Sequence, residues 1–580
     1  MSTGSDLADP AVNGGREALT AASPVRSHTS GWRAWAYRTE VSGGAGAAHA
    51  VSLIAALAVL TYYGARQWFF TDDWEFIVRN LPGPSRLGLF VPHNEHWSTI
   101  PLLVYKTLFA VFALRTYLPY ELFDICLHVL AAHLLWRLAL RVGANPWTAT
   151  ALAATFLALG MGYEQILSAF QATFELSLCC GLAWLLVTDS GMRERPRVVA
   201  GWVLGVAASM SSGIALPMIA VVALATAGRR GLRSAAVAVS VPVAVNVAWY
   251  LAIRPQQTLP ATGHALLLLP AFVARGLTAT ANGAVGLWWT GTALLVVLLG
   301  WMLRRWRVLP PIAWSGVVGS FILFAIVGLG RVALGVEQAT TSRYLYLAAA
   351  LLMPTVALAL TAAARRRLLW QAAVLGLVAV STAHGAVVLF HQFRQQTAVR
   401  AADRDIVMAA ATVISSGTQV LGGQADPIYG PDIDLADLRT LVATGALRVT
   451  PPAPLSILTV ESRIEVSVSD EPVLSGAPPL LRVVQGMEQG AGQCTRLIPG
   501  ASGSARVQLI FSAPASVAIA PAGAGTVVIV LSAADHPGLA APPTAVTVGA
   551  GQREFLNISA PQATPTLTLP GGAVLCGVSS

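Results

Sequence analysis

Residues 71–97 read TDDWEFIVRNLPGPSRLGLFVPHNEHW, and this segment decides how the rest of the chain is interpreted. It follows the first long apolar run and combines adjacent carboxylates with imidazoles and tryptophans. Ionisable groups beside lipid are costly to keep, so such a cluster indicates a functional site. We therefore expect the chemistry of this chain at the exit of its first membrane span.

Composition predicts a polytopic membrane protein. The chain has 580 residues, of which 55% are apolar and 11% charged, and its mean hydropathy is +0.63. A soluble protein would carry about 25% charged residues. The net charge of +9 comes from short arginine clusters between apolar runs, which is the positive-inside pattern. A basic chain of this kind gives no reason to expect nucleic-acid binding.

Apolar runs of about 20 residues predict about 11 transmembrane helices. They are expected at 48–70, 119–140, 147–163, a run ending near 189, two short helices within 198–227, and then 235–253, 285–303, 310–329, 344–364 and 368–391. Residues 98–114 are shorter and predict an interfacial or re-entrant helix. Placing the N-terminus inside puts the arginine clusters in the cytoplasm and residues 71–97 outside.

The predicted fold class is a polytopic α-helical membrane protein with a C-terminal all-β, sandwich-like extracytoplasmic domain. Residues 1–47 are expected to be a disordered cytoplasmic tail. The transmembrane region covers 48–391, with the first extracytoplasmic loop and its juxtamembrane helices at 71–118. A linker helix and loop cover 392–447. In 448–580, short runs such as ARVQLIF and TVVIVLS predict strands, and Cys494 and Cys576 are candidates for a disulfide if the domain is exported.

Two motifs resemble the GT-C superfamily of integral membrane glycosyltransferases: FFTDDWEF, with Asp72 and Asp73 just after the first span, and SRYLYLAAALLMP at 342–354. The layout of residues 48–364, with a β-rich external tail, also resembles bacterial mannosyl- and arabinosyltransferases of actinobacterial cell walls. The resemblance implies an inverting hexosyl- or pentosyltransferase of the plasma membrane. It implies a polyprenyl-phosphate sugar as donor, a cell-envelope glycan, lipid or protein as acceptor, and a loop acid as catalytic base. The family pattern favours Asp72 over Asp73.

The residues suit that chemistry. A carboxylate accepts the proton of an attacking hydroxyl, which typically contributes 10²–10⁴-fold to the rate. The departing phosphate needs a cation, and an arginine holds phosphate in bidentate fashion. Arg343 is the first candidate, followed by Tyr344 at the same helix start and Arg331. Further arginines expected on the same side are Arg275 and Arg254.

The first loop supplies the remaining candidate substrate-binding residues, which are His93, Glu95, His96 and Trp97. The spacing of the histidines matches no standard zinc motif, so no metal ligand and no cofactor is assigned. A divalent metal stays open as an alternative that no standard motif supports. A second polar turn, with Glu164, Gln165, Gln171 and Glu175, either lines the same cleft or is only solvated. Glu337 is expected as a salt-bridge partner of Arg343.

Structural interpretations remain open beside these functional ones. Asp72 also suits the N-cap of a helix, the tryptophans suit an interfacial belt, and Arg343 suits an anchor whose charged end reaches the membrane surface. Two other functions stay open as well. One is a transporter or flippase of lipid-linked glycans, and the other is a non-catalytic envelope scaffold that binds through its β-sandwich.

Overall fold

The computed structural model describes residues 43–81, 88–255, 263–287, 289–365, 367–417, 420–421, 424–490, 494–522, 525–533, 538–548, 553–559 and 563–578. Most of the predicted N-terminal tail, residues 1–42, lies outside these ranges. The first helix among the described residues begins at Gly43, before the expected boundary at 47/48.

The described residues form eighteen α-helices, named here α1 to α18 in chain order. They are α1 Gly43–Gly64, α2 Asp73–Val78, α3 Thr99–Phe112, α4 Leu118–Val142, α5 Pro146–Leu157, α6 Tyr163–Ile166, α7 Ala172–Thr188, α8 Glu194–Ser209, α9 Ala215–Arg230, α10 Leu232–Ile253, α11 Gly263–Leu266, α12 Leu269–Val285, α13 Thr290–Arg305, α14 Pro311–Arg331, α15 Ser342–Ala364, α16 Leu368–Ser415, α17 Leu435–Ala443 and α18 Pro454–Ile464.

Seven of the described helices are long and apolar enough to cross a membrane, and the bent pair α12 and α13 would make an eighth. The chain is therefore a multi-pass membrane protein, with fewer full-length spans than the expected 11. The difference lies in the short helices. α5 has 12 residues, and α8 and α9 have 16 each, so each of these two rises only about 24 Å against a hydrocarbon core of about 30 Å. The break between α8 and α9 was expected from the serines and glycine at 209–213.

The two ends of the helical bundle differ in charge. At one end, Asp189 at the C-terminus of α7 lies 3.3 Å from Arg141 of α4 and also pairs with Arg229 of α9. Two of the arginine clusters that we assigned to the cytoplasm thus meet at the same end. Residues 71–81 and 88–97 lie at the other end, where Asp72 interacts electrostatically with Arg343 at the start of α15.

A second core joins the first loop to the region after the last span. α16 has 48 residues, a rise of about 72 Å, and it continues through the boundary expected at 391/392. Its last turns, from Val407 to Ile414, pack against Phe69, Trp74 and Tyr105 of the first loop and α3. The loop is therefore held by apolar burial as well as by its connections to the membrane helices.

The expected β-rich C-terminal region is confirmed, with eleven described strands that begin at Val466. They are β1 Val466–Ser469, β2 Leu480–Gln485, β3 Met487–Gln489, β4 Cys494–Ile498, β5 Ser504–Ile510, β6 Ala515–Pro521, β7 Gly525–Ala533, β8 Thr544–Val548, β9 Glu554–Ile558, β10 Ala563–Pro570 and β11 Ala573–Cys576. One sheet has the order β1-β9-β6-β11-β4-β3 and the other β2-β5-β10-β7-β8. Their alternating apolar residues form one core, and a disulfide joins Cys494 to Cys576 across β4 and β11.

Candidate active site

The turn before α2 fixes the two adjacent acids in different directions. Thr71 has φ +45°, a left-handed conformation that is unfavourable for a β-branched residue and costs on the order of 1–3 kcal/mol. Its N–H donates to the carbonyl of Tyr429 at 2.8 Å. This hydrogen bond ties the turn to the region that follows α16. α2 then begins at Asp73, with Asp72 in the N-cap position.

Asp73 is fully buried, so the two acids of the predicted catalytic pair have different environments. Its Oδ1 accepts from the Tyr105 hydroxyl at 2.6 Å, and its Oδ2 accepts from the Phe70 N–H at 3.0 Å and the Tyr117 hydroxyl at 3.2 Å. Burial raises the pKa of Asp73 to about 6, although these donors and the nearby Arg400 oppose the rise. Asp73 has no exposed surface through which to meet a substrate, and we assign it to positioning the loop.

Asp72 remains accessible, with 34% of its side chain exposed. It makes no capping hydrogen bond to α2, so the capping interpretation finds no support. Its Oδ1 lies 3.8 Å from Nε2 of His93. Of the two adjacent acids, Asp72 alone faces the cleft.

His93 and Glu75 form a hydrogen-bonded pair beneath this cleft. His93 Nδ1 and Arg79 both donate to Glu75, and Arg79 also donates to the carbonyls of Val91 at 3.1 Å and Pro92 at 2.8 Å. Burial alone would raise the pKa of Glu75, but His93 and Arg79 outweigh it and hold that pKa below its usual value. Arg79 thereby ties α2 to the second half of the loop.

The second half of the loop forms a small hairpin. His93 and His96 exchange backbone hydrogen bonds at 3.0 and 2.9 Å, and Glu95 lies 3.5 Å from Arg331 at the end of α14. Burial lowers the pKa of His96 to about 4; Glu95 opposes this shift, while Arg343 and Arg331 add to it. The neutral Nδ1 of His96 accepts from the Gly213 N–H at 3.3 Å.

Gly213 lies in the break between α8 and α9, and this contact requires glycine. A Cβ built at this position would lie 2.7 Å from His96 Nδ1, well inside normal contact distance. The unwound segment that interrupts the apolar run at 198–227 is therefore part of the wall of the cleft. We expected the break from the sequence but not its contact with the loop.

Arg343 enters the cleft from the first turn of α15. Its guanidinium interacts electrostatically with Tyr344, Glu164 and Asp72. Glu164 reaches this place because its N–H donates to Ser342 Oγ at 3.1 Å. The structure thus brings together Asp72, His93, Glu95, His96, Arg331 and Arg343, all of them predicted, with Glu164 from the second polar turn.

Several other candidates lie elsewhere. Trp97 is buried against Trp249, with ring centroids 5.2 Å apart, and donates to Thr99 at 2.7 Å. Tyr344 is buried too but stays beside the site, with its ring centroid 5.4 Å from the Arg343 guanidinium carbon. Arg275 binds Glu337 at 2.8 Å, so the pairing that we expected between Glu337 and Arg343 is wrong. Arg254 is exposed at the end of α10.

The four residues of the second polar turn also lie in different places. Gln165 and Gln171 are buried, and Gln165 Nε2 donates to the Gln171 carbonyl at 3.0 Å. Glu175 is fully buried in α7, where one carboxylate oxygen lies 3.8 Å from His128 Nδ1. Of the four residues, only Glu164 interacts with Arg343.

Two groups of functional candidates were not found from the sequence. Arg400, on the extended part of α16, donates to the Tyr117 hydroxyl and the Trp68 carbonyl, both at 3.3 Å. Glu121, Asp124 and His128 are fully buried on one face of α4, at the i, i+3, i+7 spacing that we could have recognised. No spacing signal marks Arg400, since its partners are more than 280 residues away.

An apolar cavity of about 520 Å³ runs alongside α15 inside the bundle. It is lined by residues of five helices, among them Leu152, Val285, Leu295, Leu352 and Leu377. The lining of α15 begins at Ala349, less than two turns beyond Arg343. Within the described ranges, no group of three or more His, Cys, Asp or Glu residues is arranged to hold a metal ion.

No protein-family model matches the chain, and no curated protein matches it. Two solved structures of ArnT from Cupriavidus metallidurans are similar to it. The one bound to undecaprenyl phosphate is 16% identical, with 63% of this chain and 80% of that chain covered and a TM-score of 0.43. The apo form is 14% identical, with 72% and 91% covered and a TM-score of 0.43. A TM-score this low does not establish a shared fold, and we therefore draw the function from this chain's own residues.

Proposed function

We propose that the chain is a membrane glycosyltransferase that moves a sugar from a polyprenyl-phosphate donor to an acceptor of the cell envelope. The observation that carries this proposal is that Asp72 lies near enough to Arg343 for their charges to interact. An exposed carboxylate and a guanidinium face the same cleft, at the end of a bundle of membrane helices. This combination supplies a proton acceptor and a phosphate-binding cation close to each other.

In the proposed reaction, a hydroxyl oxygen of the acceptor attacks the anomeric carbon of the donor sugar. The bond from that carbon to the phosphate oxygen breaks, and its electron pair leaves with the polyprenyl phosphate. Asp72 takes the hydroxyl proton, and Arg343 binds the phosphate that carries the growing negative charge. This single displacement inverts the anomeric centre.

The neighbouring residues support these roles. His93, held by Glu75, supports the Asp72 side of the cleft, while Arg331 and Arg343 supply positive charge opposite it. The apolar cavity beside α15 offers room for part of an isoprenoid chain whose phosphate lies at Arg343. We infer that this end of the bundle faces away from the cytoplasm, because the arginine clusters meet at the other end.

The direct test is transfer from a radiolabelled polyprenyl-phosphate sugar by purified protein in detergent. Asp72→Asn should lower the rate by roughly 10²–10⁴-fold, since the proton acceptor is lost while the shape of the side chain is kept. Unchanged transfer by a stably folded Asp72→Asn variant would remove Asp72 from the role of base.

The cation is tested with a matched pair of arginines. Arg343→Gln should lower kcat/KM for the donor by roughly 10- to 100-fold, because a charge-assisted phosphate contact is lost. Arg275→Gln is the control, because Arg275 pairs with Glu337. Equal losses in both variants would contradict a specific phosphate contact at Arg343.

Transport of a lipid-linked glycan is the second candidate, and one observation favours it. Glu121, Asp124 and Glu175 are fully buried inside predicted spans, where a transporter would place its polar groups. In proteoliposomes, a transporter moves the labelled lipid across the bilayer intact, whereas the proposed enzyme releases the sugar into a covalent product.

A further inference from the structure

A second carboxylate reaches the cleft from the region that follows the last span. Asp432 belongs to the 424–434 turn, which links α16 to α17. The Tyr429 carbonyl in this turn accepts the Thr71 N–H at 2.8 Å, and the Tyr429 ring stacks on Phe70 with centroids 4.9 Å apart. The turn is thus attached directly to the residues that precede Asp72.

Internal hydrogen bonds make the 424–434 turn a defined structure. Asp426 Oδ1 accepts from the N–H groups of Ile428 at 2.9 Å and Tyr429 at 3.1 Å, and Gln424 donates to the Pro431 carbonyl at 2.9 Å. Asp434 then caps α17 by accepting from the Asp437 N–H at 2.6 Å. A turn fixed at both ends holds the residue between them in a constant place.

The carboxylate of Asp432 is exposed and makes no hydrogen bond to the described part of the chain. In the described part of the chain, the titratable groups that interact with it electrostatically include Glu75, Asp72, His93 and Arg79. Partial desolvation and the charges of Glu75 and Asp72 raise the pKa of Asp432. Asp72 and Asp432 therefore border the same opening from two separate parts of the chain.

The charge around this opening restricts the acceptor. Among the described residues, the carboxylates of Asp72, Glu75 and Asp432 lie around this opening, and Arg79 is already paired with Glu75. A carboxylated or phosphorylated acceptor would be repelled here, whereas a neutral polyol can donate one hydroxyl to Asp432 while another hydroxyl attacks under Asp72. The positive side of the cleft, with Arg343 and Arg331, remains for the donor phosphate.

We propose that Asp432 is an acceptor-positioning residue that binds a second hydroxyl of a neutral, hydroxyl-rich acceptor beside the one activated by Asp72. This inference rests on the proposed function and adds the class of acceptor and the residue that selects it. The region after the last span then completes the cleft instead of only covering it.

The test separates transfer from hydrolysis. Full-length protein in detergent is given a radiolabelled polyprenyl-phosphate hexose or pentose, with octyl hexoside as acceptor, and both octyl diglycoside and free sugar are measured. Asp432→Asn should raise the acceptor KM by roughly 10-fold or more, since a charge-assisted hydrogen bond is lost, and it should lower transfer to octyl hexoside far more than release to water. Asp432→Glu should recover part of the lost affinity.

The matched control is Asp470→Asn, an exposed aspartate of the β-sandwich, which should behave as wild type. Wild-type protein should also prefer octyl hexoside to the corresponding uronic acid. An unchanged acceptor KM in Asp432→Asn, an equal fall in transfer and hydrolysis, or a preference for the uronic acid would each overturn the inference. If wild-type protein consumes no donor with any acceptor, the proposed function itself fails, and this outcome is recognised without any variant.

Discussion

Asp72 and Asp73 are neighbours in the chain, but they have different environments. They lie at the start of α2, where successive side chains point about 100° apart. Asp73 therefore faces the tyrosines of the second core, and Asp72 faces the cleft. The division makes the buried acid a structural residue whose protonation is linked to folding.

Asp73 allows a prediction about pH and stability. Its pKa is raised from 3.8 to about 6 in the folded protein, so between these values the folded protein binds a proton that the unfolded chain has released. Stability contributed by this proton is present below about pH 4 and is lost as pH rises through 6. The Asp73→Asn variant does not undergo this loss of stability. Its melting temperature should therefore rise more steeply with pH across this window than the melting temperature of the wild-type protein.

The measurement is thermal unfolding in detergent at several pH values between 4 and 7, and slopes are compared between variants. This comparison matters because His96, whose pKa is lowered to about 4, gains stability as pH rises over the same range. Asp470→Asn serves as the control, and its slope should equal that of wild type. Parallel slopes for wild type and Asp73→Asn would show that Asp73 does not take up a proton on folding.

At the scale of elements, α16 connects the membrane bundle to the cleft. Within the bundle it crosses the 3₁₀ turn Gly160–Gly162 in close contact. A Cβ on Gly385 would overlap the Ala158 carbonyl, and one on Gly160 would overlap the Gly385 carbonyl. Small residues allow this approach, as is common where helices pack in membranes, and they fix the height at which α16 leaves the bundle.

Gly385→Ala should lower the free energy of unfolding by roughly 1–3 kcal/mol, because backbone atoms have to move apart to make room. Gly376→Ala is the matched control, since a Cβ there meets no atom within 4 Å and alanine favours the same helix by about 1 kcal/mol. Thermal unfolding of both variants in detergent provides the measurement. A Gly385→Ala protein as stable as Gly376→Ala would show that the crossing is not tightly packed.

At the scale of the whole molecule, three cores follow each other along the chain. The first is the membrane bundle, the second joins the first loop to the end of α16, and the third fills the β-sandwich. α18 contacts the β-sandwich directly through β1 and β7. The cleft and the sandwich are therefore on the same side of the bundle, and a single orientation in the membrane places both.

The disulfide gives a test of that orientation. Cys494 and Cys576 are bonded, and such bonds form outside the reducing cytoplasm. Protein isolated from cells under alkylating conditions should therefore contain this pair oxidised, as judged by mass spectrometry of its peptides. Cys126 and Cys180 are unbonded and should be alkylated after denaturation. A reduced, fully alkylated Cys494–Cys576 pair would put the β-sandwich in the cytoplasm and contradict the assignment of the cleft to the outer side.

Local sequence patterns were sufficient to predict the membrane character, most span positions, the break at 209–213 and the β-rich end. These features follow from local hydrophobicity, from glycine, proline and serine in the breaks, and from arginine clusters at helix ends, all of which act over one helix length or less. The acid pair after the first span and the arginine at the start of α15 were also visible, because each stands beside a long apolar run.

Which of those residues lie together depends on how the helices and the first loop pack. Asp73 and Asp72 have identical side chains, and their different roles come from Tyr105, Tyr117 and Arg400, which pack on one side only. Asp432 and Tyr429 reach the cleft because α16 extends past the membrane and its last turns bury apolar surface against the first loop. Contacts between residues hundreds of positions apart depend on the packing of whole helices, and no local pattern in the sequence encodes it.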